Sequence, residues 1–104
     1  MNEIQRYATP TILIEVDPAE VQDIWFTIAD GSKRELLTKK RAEMEEAAEG
    51  FKVKLSQEDT ASLPEGDMRL CYLQARVLFQ DGSSVATEIE KRTVGQILKE
   101  GVMT

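Results

Sequence analysis

The sequence predicts an all-β domain, a β-sandwich of about seven strands with a short C-terminal helix. Residues 68–90 alternate polar and apolar side chains on both sides of Asp81-Gly82, as the strands of a β-hairpin do. Other short alternating segments end at turn residues such as Asp17-Pro18, and the apolar spacing becomes helical only near the C-terminus. We therefore expect a flexible leader over residues 1–8 and a single domain over residues 9–104.

Two strands are predicted in the first third of the chain. Thr11–Val16 alternates apolar and polar side chains, and Asp17-Pro18 ends it. Val21–Ala29 is rich in β-branched and aromatic residues, which are typical of strands. Trp25 is out of phase with the inward residues of this second strand, so it should lie on the opposite face. Those inward residues are Ile24, Phe26 and Ile28.

A bulged hairpin is expected after the second strand. Ala29-Asp30-Gly31 has the same form as Gln80-Asp81-Gly82, which predicts a turn into Arg34–Lys39 with a positive φ at Gly31. The next segment, Lys40–Gly50, contains helix-forming alanines and glutamates but connects two predicted strands. Tertiary contacts can override helix propensity. The sequence therefore leaves a helix and an extended connection equally open.

The long hairpin of residues 68–90 predicts its own register. A two-residue loop would place Glu88 opposite Ala75, and thus a carboxylate on the apolar face. A three-residue loop, Gln80-Asp81-Gly82, pairs Val77 with Val85 and keeps the faces consistent if Gly82 is left-handed. We therefore expect a type I turn with a glycine bulge. The predicted core residues are Phe26, Val53, Leu73, Val77, Phe79 and Ile89.

The remaining elements have shorter signals. Phe51–Leu55 alternates cleanly and predicts a strand, and Ser56 followed three residues later by Asp59 predicts one helical turn. A second capping box begins at Thr93, and the apolar residues that follow it have helical spacing up to Gly101. We expect a helix near residues 94–100 that covers one end of the sandwich.

Composition excludes several classes of protein. The chain has 104 residues, enough for one core, and a net charge of −6, which argues against nucleic acid as a partner. No apolar run reaches the roughly 18 residues that a membrane span needs, and the N-terminus has no signal-peptide pattern. The single cysteine, Cys71, cannot form an internal disulfide, and its inward position predicts a buried, inert thiol.

No residues are predicted to be catalytic, to bind a cofactor or to ligate a metal. The chain contains no histidine, which removes the usual nucleophile pairs and the commonest transition-metal ligand. Clustered glutamates occur at 43–49 and 88–90, but a glycosidase needs two carboxylates across a cleft, and these are expected to be solvated. Asp81 is explained by its turn rather than by calcium.

The candidate interaction surface consists of Trp25, Tyr72 and Arg76. Trp25 is predicted to point away from the core, and Tyr72 and Arg76 share the outward face of the long hairpin. An exposed tryptophan indicates a protein-binding surface or a platform for sugars. A tryptophan covered by the leader or by the terminal helix is the alternative.

Several motifs of the chain resemble those of one protein family. The motifs are the run Val53–Leu63, the hairpin arm Leu73–Gly82, the segment Ala86–Ile89 and the closing stretch Val94–Val102. Together they resemble small immunoglobulin-like structural proteins of phages and prophages of Gram-positive bacteria, of the kind associated with tails or baseplates. The resemblance covers roughly Thr11–Leu36 and Leu55–Val102.

The resemblance implies an immunoglobulin-like sandwich without enzymatic activity, located in the virion or in the host cytoplasm during assembly. Its implied partners are other virion proteins or further copies of itself, without nucleic acid, membrane or cofactor. A carbohydrate-binding module that uses exposed aromatic residues is the second hypothesis, weakened by an aromatic content of 6%. A small hydrolase that depends on carboxylates is the third.

Overall fold

The structure is a computed structural model that describes residues 3–64, 69–95 and 97–104. Within these residues one short helix, α1, covers Gln57–Ala61, and 3₁₀ turns cover Pro18–Glu20 and Arg41–Glu43. The strands in chain order are β1 (Glu3–Gln5), β2 (Thr11–Glu15), β3 (Val21–Ala29), β4 (Glu35–Lys40), β5 (Glu45–Ala47), β6 (Gly50–Lys54), β7 (Leu70–Phe79), β8 (Ser84–Ala86) and β9 (Glu90–Gly95).

The strands form two sheets around a common core, and the prediction of an all-β fold is confirmed. The large sheet has the order β1-β9-β7-β3-β4, with β8 also paired to β7, and the small sheet has the order β2-β6-β5. The strand pairings among the described residues are antiparallel, except that between β1 and β9. The described residues thus contain nine strands rather than about seven. No helix among them is long and apolar enough to span a membrane.

The core lies between the inner faces of the two sheets. As predicted, Ile24, Phe26 and Ile28 of β3 are buried, and so are Leu73 and Val77 of β7. Val53 of β6 meets them from the small sheet. Two predicted core residues differ: Phe79 is only half-buried, and Ile89 is 50% exposed.

The predicted register of the long hairpin is confirmed for its described part. Phe79 N donates to Ser83 O at 2.8 Å, Val77 pairs with Val85, and Gly82 has a φ of 89°. Asp81 stabilises the turn by accepting from the backbone N and the hydroxyl of Ser83. This register places Trp25 and Arg76 next to each other, since β3 pairs along the other edge of β7.

A bulge after the hairpin explains why Ile89 is not in the core. Arg76 pairs with Ala86, but Leu73 pairs with Glu90. The segment that runs from β8 to β9 therefore contains one residue more than the stretch of β7 that it faces. The extra residue reverses the alternation of faces beyond it. The prediction that Ile89 continues the inward set of the hairpin is therefore wrong.

The first hairpin has the predicted loop type but a different position. Lys33 N donates to Asp30 O and Asp30 N donates to Arg34 O, so the loop is Gly31-Ser32-Lys33. Lys33 has a φ of 64°, whereas Gly31 has no positive φ, so that prediction is wrong. The cause is Asp30, whose carboxylate accepts from the backbone N of Ser32 and of Arg34. The loop therefore begins at Gly31, two residues after the predicted start at Ala29.

The segment Lys40–Gly50 adopts a 3₁₀ turn followed by β5, so the extended alternative is correct. Arg41 holds this connection, because its guanidinium donates to Val21 O at 2.7 Å and lies 5.3 Å from the ring centroid of Phe51. The predicted turn after Ser56 is also confirmed: the Ser56 hydroxyl and the Asp59 carboxylate accept from each other's backbone N–H at the start of α1.

Both ends of the chain differ from expectation. Residues 3–5, which were assigned to a flexible leader, form β1 and pair in parallel with β9, where Ile4 and Val94 are buried opposite each other. The predicted helix near 94–100 is wrong, because Val94 and Gly95 are strand and residues 97–100 are not helical. Gln96, which completes the predicted capping box, lies outside the described residues, as does Met68 at the start of the predicted hairpin. Edge pairing with β1 supplies hydrogen bonds that this segment would otherwise have made within a helix.

Candidate interaction surface

The outer face of the large sheet is the side turned away from the small sheet. Its side chains on β3 and β7 alternate with the buried ones and are exposed or half-buried. Trp25, Tyr72 and Arg76, the three residues that the sequence predicted as an interaction surface, all lie on this outer face. The sequence reasoning thus identified one side of one sheet from strand periodicity alone.

Trp25 lies between two cations on neighbouring strands. It pairs with Lys40 of β4 on one side and with Arg76 of β7 on the other. The Lys40 Nζ is 5.2 Å and the Arg76 guanidinium carbon 5.3 Å from the centroid of the indole ring, within the range of cation–π attraction. The indole N–H donates to the Asp23 carboxylate at 3.2 Å. These contacts hold the ring in a defined orientation.

The alternative in which Trp25 is covered by the leader or a terminal helix is not what the structure has. Trp25 remains 38% exposed, and the side chains over its ring come from β4 and β7. Beside the ring lies an open cavity of about 210 Å³, whose lining includes Leu78 and Ser84. An aromatic ring next to an apolar-floored groove is a geometry that fits an inserted side chain.

Tyr72 forms a second aromatic–cation pair on the same face. Lys33 Nζ lies 5.6 Å from the centroid of its ring. Lys33 reaches this position because it is the left-handed residue of the first hairpin loop, whose strands β3 and β4 lie beside β7. On its other side Tyr72 pairs with Lys91 of β9, which is exposed.

Between the two aromatic pairs the face is polar. The hydroxyls of Thr27 and Thr38 lie 3.0 Å apart across β3 and β4, and Thr38 donates to Glu35. Gln74 of β7 donates to the backbone oxygen of Thr87 at 3.0 Å. The central polar groups are therefore held by bonds within the sheet, and the two aromatic pairs at the ends present the more distinctive chemistry.

The charge of the outer face is opposite in sign to that of the whole chain. The chain has a net charge of −6. The cations that approach or flank the two aromatic rings are Lys33, Lys40, Arg76 and Lys91. Asp23 and Glu35 are hydrogen-bonded within the sheet, and the Glu43 carboxylate accepts from the backbone N of Lys40 at 3.0 Å. The outer face is thus a locally basic, aromatic surface on an acidic protein.

Sequence reasoning missed Lys33 and Lys40. Lys40 was placed in the ambiguous connection, and Lys33 was placed after the turn rather than within it. Which strand partner each lysine faces depends on the cross-strand register, and the register depends on where each loop begins. The signal that could have located Lys33 is Asp30, since aspartate is favoured at the first position of a type I turn, where its side chain can accept from the backbone two residues further on.

The described residues carry little reactive chemistry. They contain no group of three or more metal-ligating side chains that could hold an ion. Cys71 is buried, and burial raises the pKa of its thiol to about 11, despite the opposing effect of Arg92. A thiol with such a pKa is almost entirely protonated at neutral pH and is a poor nucleophile.

Comparisons with protein-family models, with curated proteins and with solved structures gave no match for the chain.

Proposed function

We propose that this protein is a non-enzymatic binding domain of the phage or prophage structural type, which contacts an acidic surface of another virion or assembly protein through the outer face. The observation that carries the proposal is the Trp25 cluster: an exposed indole between Lys40 and Arg76. Tryptophan and arginine are the residues most enriched among those that dominate protein–protein binding energy.

The two cations favour an acidic partner. Carboxylates of a docked protein could pair with Lys40 and Arg76 at the rim while an apolar side chain enters the groove beside Trp25. Arg76 can also bind a carboxylate through two parallel hydrogen bonds. This arrangement combines an anchor with charge complementarity, which together give both affinity and a preferred orientation.

The same cations disfavour the carbohydrate-binding alternative. A sugar stacks on an open aromatic face, but the ring of Trp25 is approached by Lys40 and Arg76 from the two adjacent strands. The second aromatic residue of the face, Tyr72, is likewise approached by Lys33. A sugar would have to displace cations that the rings already attract.

The immunoglobulin-like assignment and the association with phages are parts of this proposal. They are supported by the mainly antiparallel pairing of two packed sheets and by the motif resemblance described above. On this proposal the protein is found in the virion, or in the host cytoplasm during assembly.

A charge-reversal experiment tests the proposal. Lys40→Glu alters the Trp25 cluster, and Lys99→Glu makes the same change at an exposed lysine near the C-terminus. Tagged wild-type protein should capture a phage structural protein from phage-induced cells, Lys99→Glu should capture as much, and Lys40→Glu should capture several-fold less. Trp25→Ala should lose capture, whereas Trp25→Phe should keep part of it.

Two results would contradict the proposal. Equal capture by Lys40→Glu and wild type would show that the partner does not bind through the outer face. Failure of the wild type to capture any phage protein, together with binding to a glycan array that Trp25→Ala abolishes, would support the carbohydrate-binding alternative instead. Circular dichroism of each variant ensures that only folded proteins are compared.

A further inference from the structure

The edge strand β2 is the least protected sheet edge among the described residues. It has five residues and pairs only with β6. The edge strands β1, β5 and β8 have three residues each, and β5 carries two glutamates. The edge strand β4 contains Lys39 and Lys40 and a register shift near Ala29. Lysines, short length and irregular register all discourage pairing with another chain, and β2 has only a terminal glutamate.

The register of β2 determines which backbone groups face outward. Leu55 N donates to Pro10 O at 3.0 Å, and the pairing continues with Ile12 opposite Val53. In an antiparallel pair, hydrogen-bonded and non-hydrogen-bonded residue pairs alternate. Thr11, Leu13 and Glu15 therefore make no backbone hydrogen bonds to β6. Their N–H and C=O groups point to the open edge of the sheet.

We propose that β2 pairs with the β2 strand of a second copy of this chain, antiparallel and across a two-fold axis at Leu13. In this register Leu13 lies opposite Leu13 of the second copy, and Thr11 lies opposite Glu15. Every outward N–H and C=O of these three residues then meets its complement, as a two-fold interface requires. The two three-stranded sheets become one continuous six-stranded sheet.

The side chains of both faces fit this pairing. On the outer side of the small sheet Leu13 is 41% exposed and would be covered by its own equivalent. Lys54 pairs with Thr11, so Glu15 of the second copy would approach Lys54 across the short threonine. No like charges face each other in this register, and one pair of opposite charges is brought closer on each side of the axis.

On the inner side, the added strand would cover partly apolar surface beside β2. A groove of about 410 Å³ lies there, and its lining includes Ile12, Phe26 and Ala75 as well as the carboxylates of Glu88 and Glu90. Val85 of β8 pairs with Val77 and so shares its inner face, yet it is 52% exposed. Ile12 and Ile14 of the second copy would face this region.

This inference goes beyond the proposed function, because it concerns the edge of the small sheet and not the outer face of the large sheet. Its test is therefore independent of the Trp25 variants. Sedimentation equilibrium of the wild-type protein should show a reversible monomer–dimer equilibrium. A wild type that stays monomeric at every concentration overturns the proposal and leaves β2 as an edge for an extended segment of a different protein.

Variants at the two-fold axis test the register. Leu13→Lys places two lysines opposite each other and should weaken dimerisation at least about tenfold, and so should Leu13→Glu. Because residue 13 faces its own equivalent, an equimolar mixture of the two variants should form heterodimers. Leu98→Lys, the same change at a fully exposed leucine, should dimerise as the wild type does. The register is wrong if Leu13→Lys dimerises as strongly as the wild type, or if the mixture of the two variants forms no heterodimers.

Hydrogen exchange of the unaltered protein gives a measurement that needs no variant. The amides of Thr11, Leu13 and Glu15 should exchange more slowly as protein concentration rises, while those of Ile12 and Ile14, already bonded to β6, should change little. Exchange of Thr11, Leu13 and Glu15 that is independent of concentration contradicts pairing through this edge.

Discussion

Lys39 Nζ lies 3.0 Å from the Asp59 carboxylate and thereby joins the edge strand of the large sheet to the helix that follows the small sheet. Lys39 pairs with Phe26, so it belongs to the inner face, and its chain passes along the core to reach Asp59 and Glu43. An inward-pointing lysine on an edge strand also discourages pairing with another chain. The edge of β4 is thus protected in a way that the edge of β2 is not.

This ion pair predicts a dependence of stability on pH. Burial raises the pKa of Asp59, but the hydrogen bond from the Ser56 backbone and the contact with Lys39 outweigh it, so the pKa lies below its usual 3.8. A lowered folded-state pKa contributes stability above the unfolded-state pKa, and this contribution is lost as pH falls through the folded value. Urea unfolding of the wild type should therefore show stability falling as pH drops below about 4.

Asp59→Asn should make that decline shallower, and Lys39→Met should do the same by removing the cation that favours ionised Asp59. Glu58→Gln removes a charge from the adjacent, exposed residue of α1 and serves as the control. An acid decline in Asp59→Asn as steep as that of the wild type would show that other carboxylates carry the effect.

The hairpin around Gly82 shows what a sequence can specify. The alternation of faces allowed one loop length there, and the structure has that loop. The first hairpin has the same loop type, but two starting points were compatible with its sequence, and only the hydrogen bonds of Asp30 distinguish them. Local patterns therefore predicted the strands and their faces. They did not determine the position of the first turn, because Asp30 could either begin the turn or lie inside its loop.

The ends of the chain and the Trp25 cluster show what a sequence leaves open. Val94 has helical spacing with later apolar residues, but pairing with a strand from the other end of the chain decides its conformation. Likewise, the periodicity of β3 predicted that Trp25 faces outward, but the cations beside it, Lys40 and Arg76, belong to the other strands β4 and β7. Contacts between distant segments are what periodicity cannot supply.

Gly82 and Gly31 form a matched pair for testing the two loops. Gly82 has a φ of 89° with open space around it, so Gly82→Ala should cost about 1 kcal/mol through backbone strain alone. Gly31 has no positive φ, and Gly31→Ala should stay within about 0.5 kcal/mol of the wild type. Equilibrium urea unfolding measures both. Equal costs for the two variants would contradict the loop positions.

Gly50 combines a positive φ with a close contact and should be the least replaceable of these glycines. It has a φ of 155°, and an added Cβ would lie 2.0 Å from Ile14 O on the neighbouring strand β2. Gly50→Ala must shift backbone as well as strain it, so we expect a loss of at least about 3 kcal/mol. A loss near that of Gly82→Ala, measured in the same urea titration, would mean that β2 and β6 are further apart than they are here.

Phenylalanines at different depths test the extent of the core. Phe51 is 1% exposed and lies at the centre of the small sheet, so Phe51→Ala should cost roughly 3–5 kcal/mol. Phe79 ends β7 and is only half-buried, so Phe79→Ala should cost clearly less. The sequence alone placed Phe79 among the fully packed residues. A larger loss for Phe79→Ala than for Phe51→Ala would restore that assignment.

Cys71 offers a measurement of how firmly the large sheet is closed. It is fully buried, it pairs with Arg92 across β7 and β9, and burial raises its pKa to about 11. Alkylation requires the thiolate, so at pH 8 iodoacetamide should modify the native protein at least about 100-fold more slowly than the urea-unfolded chain. Arg92 opposes the effect of burial, so Arg92→Ala should not accelerate the reaction if the sheet stays paired. Rapid modification of native protein would instead mean that the core around Cys71 opens readily, through separation of β9 from β7 or of the two sheets.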